Sequence, residues 1–228
     1  LHRRMGFDVV AWESGLYDVQ VSQARMRGND DGLAAAQAGI LAVWSWTEEV
    51  RPLFEYAKTT QVTARPLEMA GFDIQLTGPN LGDPLAEDLR SFACALRDEP
   101  TRERAAALTE QILTTHQRLL ARSYAGRRTE SEALKVAAQS GRPLRDVMTE
   151  RMGALEKSDA PKVVPTKEDL ASLDQATDNL LAMIREKRAA FLQAHGSRRT
   201  TFMERVIENL RGNGRNVYDR QRPDRPGR

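Results

Sequence analysis

Phe7-Asp8-Val9-Val10-Ala11-Trp12-Glu13, residues 7–13, reads as a short apolar strand closed by a carboxylate. Gly6 precedes it and Ser14-Gly15 ends it. A helical segment follows, expected from about Leu16 to Arg27, ahead of the loop Gly28-Asn29-Asp30-Asp31-Gly32. In an α/β sheet, a strand-turn-helix places functional groups at the C-terminal edge of the strands. Glu13 stands where such a group would stand. Local pattern leaves a second reading open, in which Glu13 is an ordinary strand-end surface residue.

Working outward, an alanine-rich helix is expected over 32–43, followed by Trp44-Ser45-Trp46. These two tryptophans either wall an apolar pocket or pack in the core. Thr47 reads as the N-cap of a helix running to about Lys58, with Val50, Leu53, Phe54 and Ala57 on one face. Leu67 to Asp73 is a second strand candidate, again ending in a carboxylate. If the two strands are parallel neighbours, Glu13 and Asp73 share one rim. Two strands are too little sheet for an independent α/β domain. From about residue 85 the pattern is helical: 85–97, 102–123, 129–139 and 143–155. Ser158 to Pro165 reads as a linker. Thr166 and Asp169 then form a box-like cap for a helix reaching about Gln193. Gly196-Ser197 ends it, and a last amphipathic helix spans about 200–211. Residues 212–228 are poor in apolar side chains and are expected to be a disordered basic tail.

Composition limits the function classes. A chain of 228 residues that is 40% hydrophobic can bury a core as one domain with an insertion. The net charge is +2, from 34 basic and 32 acidic residues. Residues 211–228 hold six of those arginines and two of the aspartates, so the body is 28 against 30 and the basic excess lies in the tail. That is weak ground for nucleic-acid binding. No apolar run is long enough for a membrane span. Cys94 is the single cysteine and has no internal disulfide partner. His2, His116 and His195 show no metal-ligand spacing, and His116 reads as a packed helix residue. No phosphate loop, dinucleotide fingerprint, nucleophile elbow or zinc-protease motif is present, so neither a cofactor nor a metal is expected.

Four stretches carry a resemblance. Met5 to Asp18 (MGFDVVAWESGLYD), Trp44 to Tyr56 (WSWTEEVRPLFEY) and Pro66 to Gln75 (PLEMAGFDIQ) resemble the erythromycin esterase family. Arg199 through Phe202-Met203 to Glu208-Asn209-Leu210 resembles the helix before that family's last catalytic strand. The resemblance implies a three-layer α/β core with a large helical insertion, here with an incomplete parallel sheet. The partial domain spans 1–211, with the insertion at about 85–195. It also implies a hydrolase in which histidine acts on water, with acidic and arginine side chains around it. Members act on carboxylic esters and macrolide lactones.

In family terms Glu13 is the strand-end catalytic glutamate. Trp44, Trp46 and Asp73 border the substrate, and Arg27 is a supporting arginine. The sequence departs from the family at both ends. A Gly-Glu…His-Gly type motif is missing upstream, and a His-Asn-x-His type motif is missing after Leu210. The expectation is therefore an internal fragment of a hydrolase, inactive alone. Its partner would be a small ester or macrolide-like lactone, with no nucleic acid and no membrane, and self-association would run through unpaired sheet edges. The alternative is a non-catalytic binding protein derived from that family. Compartment stays open, with the cytoplasm as default.

Overall fold

Gly15 and Gly28 bracket the helix Leu16–Arg27, and the reason is local: each breaks the backbone pattern at one end of an uninterrupted helical run. The structure, a computed structural model, describes residues 1–73, 78, 80, 82–157 and 166–221. The expected linker 158–165, part of the loop after Asp73, and residues 222–228 lie outside the described residues. In chain order the elements are α1 (His2–Met5), β1 (Val9–Gly15), α2 (Leu16–Arg27), α3 (Gly32–Gln37), α4 (Ala42–Ser45), α5 (Arg51–Thr60), β2 (Glu68–Asp73), α6 (Asp83–Cys94), α7 (Glu99–Ser140), α8 (Leu144–Lys157), α9 (Lys167–Glu186) and α10 (Arg188–Gln221). The described residues are thus mostly helical, with one small sheet. Among the described residues no helix is long and apolar enough to cross a membrane.

The chain divides into two compact units, Leu1–Thr109 with Asn179–Asn213, and Glu110–Asp178 with Gly214–Arg228. The first holds the sheet. β1 and β2 pair in parallel, with Val9 opposite Glu68 and Trp12 opposite Gly71. One face carries Val10, Trp12, Ser14 and Met69 onto α2, α3 and α5. There Trp12 packs against Phe54 at 5.2 Å between ring centroids, over Val19, Met26, Ala35 and Leu67. Each such large apolar side chain removed from water contributes about 1.5–3 kcal/mol. The other face presents Val9, Ala11, Glu13 and Phe72 to solvent.

Gln23 reaches from α2 to the outer edge of β2, where its Oε1 accepts the Met69 N–H at 2.8 Å. On the far side of α2, Tyr17 stacks on Phe202 of α10, and Phe92 of α6 stacks on Phe191.

The second unit is helical. Ile112, Leu119, Val147 and Leu173 are buried within it. Asp169 of α9 pairs with Arg118 of α7 at 3.0 Å. Thr166 and Asp169 form the expected box: the Thr166 hydroxyl accepts the Asp169 N–H at 3.0 Å, and the Asp169 carboxylate accepts the Thr166 N–H at 3.3 Å.

Several boundaries need correction. The helix expected over 32–43 is broken between Gln37 and Ala42. Thr47 caps nothing: its hydroxyl donates back to the Val43 carbonyl, and α5 starts later, with Pro52 in its first turn. The two helices expected over 102–139 are one, α7. The helix from Thr166 stops at Glu186 instead of Gln193. Gly196 does break α10, with φ 75°.

The expected tail without structure also fails over 212–221, where α10 continues. Packing overrides composition there. Gly214 lies so close to Leu173 that an added Cβ would stand 2.4 Å from it, and Arg215 forks onto Asp174 at 2.8 Å.

Candidate functional site

The end of β1 is irregular, and Glu13 lies in the irregular part. Trp12 faces Gly71, but Gly15 faces Asp73, so β1 takes three steps where β2 takes two. An extra residue of this kind bends the strand and re-aims its side chains. Trp12 and Ser14 stay buried while Glu13, between them, is exposed. The Ser14 hydroxyl accepts the Leu41 N–H at 2.9 Å, which fixes the start of α4 at this end of β1. Ser45 in α4 is buried and donates to the Ile40 carbonyl at 3.0 Å. Its neighbours Trp44 and Trp46 therefore point outward, 37% and 72% exposed. They are not core side chains. Asp73 ends β2 beside Gly15 and is half-buried. Glu13, Asp73 and the tryptophan segment all belong to the C-terminal end of the two strands.

Arg27 does not join them. Its guanidinium donates to Glu68 at 2.7 Å, and Glu68 faces Val9 at the start of β1. Glu13 is four residues further on, about 13 Å at roughly 3.3 Å per residue.

The sequence reading passed over Asp18. This carboxylate is fully buried in the first turn of α2 and accepts the backbone N–H and the side-chain amide of Asn80, at 3.0 and 3.1 Å. The same Asn80 amide donates to Ala38 at 2.7 Å. Cβ atoms added at Gly39 and Gly78 would stand 2.0 and 1.9 Å from Asp18, so both close approaches require glycine. The only available signal was an acid one turn after a strand. Its partner is 62 residues away.

Two histidines of the first unit are committed elsewhere. His2 meets the Tyr56 hydroxyl at 2.7 Å and Asp8 at 3.7 Å, before β1 begins. His195 donates from Nε2 to the Phe92 carbonyl at 2.8 Å and stacks on Phe92. Burial pushes its pKa down, the Phe92 carbonyl acting in opposition. Burial also raises the pKa of Tyr17, whose hydroxyl donates to the Pro84 carbonyl at 3.0 Å. His116 is buried within the second unit. Among the described residues no group of three or more His, Cys, Asp or Glu side chains is placed to hold a metal ion.

The arrangement offers an exposed carboxylate near the end of β1, a second acid at the end of β2, and two exposed indoles in the segment that follows Leu41. A carboxylate there can orient a cationic or imidazole group and stabilise positive charge as an ester is attacked.

Comparison with known proteins places the chain in a family. The chain is 29% identical over 138 residues to the Bacillus subtilis (strain 168) protein named "Putative hydrolase YbfO". The match covers 53% of this chain, which spans 30% of the length of that relative. No solved structure gives a significant match. The family model described as erythromycin esterase matches residues 2–221, nearly the whole chain. The chain belongs to the erythromycin esterase family.

Proposed function

We propose that these 228 residues are part of a hydrolase acting on carboxylic esters or lactones, with macrolide-like lactones among its substrates. The observation that carries this reading is Glu13, exposed at the irregular end of β1 in a chain of this family. In this reading Glu13 orients a water-activating histidine and stabilises its positive charge. Trp44 and Trp46 border the substrate, and Asp73 closes the rim. Arg27 acts indirectly, by holding Glu68 and the N-terminal end of the sheet. The histidine comes from sequence outside residues 1–228, because His2 and His195 are engaged away from the rim. The two strands then form part of a larger three-layer core, and the chain alone is inactive.

Purified 1–228 is expected to hydrolyse neither a simple aryl ester nor a macrolide lactone above the buffer rate. In a longer chain that carries the family's histidine motifs, Glu13→Gln is expected to lower kcat by about 100-fold or more. Turnover by 1–228 that is lost in Glu13→Gln would show that the chain needs no outside histidine. A longer chain whose rate survives Glu13→Gln would remove Glu13 from the reaction. Lactone binding without hydrolysis by either chain would favour the non-catalytic alternative.

A further inference from the structure

A cleft of about 580 Å³ runs between α2 and the part of α10 that follows Gly196. Arg27, Arg198, Arg199 and Arg205 line it, with Thr201 and Phe202. It lies at the end of the sheet opposite Glu13, because Arg27 and Arg198 both bond Glu68 at 2.7 Å, at the start of β2. Arg199 pairs with Asp88. Arg205 is exposed and has no ion pair among the described residues. Two carboxylates thus answer four guanidiniums, and the cleft keeps two positive charges.

The shared carboxylate has a second effect. Glu68 takes one oxygen to each of two arginines on different helices, so both guanidiniums are held before any ligand arrives. Each guanidinium carries five N–H donors, so both retain donors beyond the bond to Glu68. Guanidiniums present paired N–H groups that match phosphate oxygens. A monocarboxylate would neutralise only one of the two charges, whereas a phosphate monoester carries nearly two above its second pKa of about 6. The volume falls within the range of small-molecule sites. Phe202 supplies an apolar surface for the rest of the ligand.

We propose that this cleft binds a soluble phosphate monoester, with Arg27, Arg198 and Arg205 holding the phosphate and Phe202 its organic part. The site is separate from the ester chemistry proposed for Glu13 and stands whether or not that reading does.

The test is titration calorimetry of 1–228 with phenyl phosphate, at a pH above about 7 where the phosphate is dianionic. Saturable binding that weakens as salt rises is expected, with phenol inert. Arg205→Gln removes an exposed side chain with no ion pair among the described residues, so it leaves folding intact. It should weaken binding by about tenfold or more, and Arg205→Lys by less, since the charge remains but the fork is lost. Arg104→Gln, an exposed change outside the cleft, should alter nothing. No binding, or binding indifferent to both Arg205→Gln and Arg198→Gln, overturns the proposal. Attachment to phosphatidate vesicles without binding of phenyl phosphate also overturns it, since the surface would then read a lipid bilayer.

Discussion

At the scale of single residues, His195 shows how local surroundings decide what a titratable group does. Its ring stacks 4.4 Å from Phe92 and donates to that residue's carbonyl, and burial holds its pKa below the usual 6.5. In the unfolded chain the imidazole takes a proton near its ordinary pKa of about 6.5, and the folded form refuses it until lower pH. The unfolded state therefore binds more protons in that window, and stability falls as pH drops below about 6.5. Urea unfolding at pH near 7 and near 5 should show this loss, and His195→Gln should shrink it. An unchanged pH dependence in His195→Gln would mean that the ring does not titrate differently in the fold. Glu13 belongs to the same scale, but its position follows from the strand around it. Its place at a strand end was legible in the sequence, because apolar residues run up to it and Ser14-Gly15 follow. Asp18 was not legible, because its value comes from Asn80, and no local pattern records a bond across 62 residues.

At the scale of elements, caps with reciprocal bonds were easier to read than helix boundaries. Thr166 and Asp169 satisfy each other's backbone donors as the sequence suggested. Thr166→Ala should cost about 1 kcal/mol. Thr47 looked equally suitable, yet its hydroxyl bonds back to Val43, so Thr47→Ala should cost under about 0.5 kcal/mol. A matched pair of denaturant midpoints checks both. α2 was read with its observed bounds because glycines stand at both ends. The alanine-rich stretch after Gly32 was read as too long: small residues carry little periodicity, and Gly39 must leave the helix to sit against the Asp18 backbone. The break expected between 123 and 129 is not made, since α7 runs through it. The helical register of 212–221 was invisible for the opposite reason, since a weakly helical composition is held by Leu173, Leu119 and Asp174.

At the scale of the whole molecule, the sheet is the exposed element. Among the described residues it has two strands only. Phe7, Val9 and Phe72 are each more than half exposed. Gln23 occupies the outer edge of β2 at Met69, but β1 has no such cover among the described residues. An unpaired, apolar strand of this kind is a template for pairing with another chain. Sedimentation over a concentration series should show self-association of 1–228, reduced by Val9→Lys. A monomer at all concentrations, unfolding in one cooperative step, would count against it. The attachments made by residues 13–18 also set what lengths the chain tolerates. Ser14 holds Leu41, and Asp18 holds Asn80, which in turn holds Ala38. One residue gained or lost between Glu13 and Asp18 would pull on every one of these ties together. Insertions and deletions among relatives should therefore spare 13–18. The six residues act as a fixed ruler against which the loops of that end are cut.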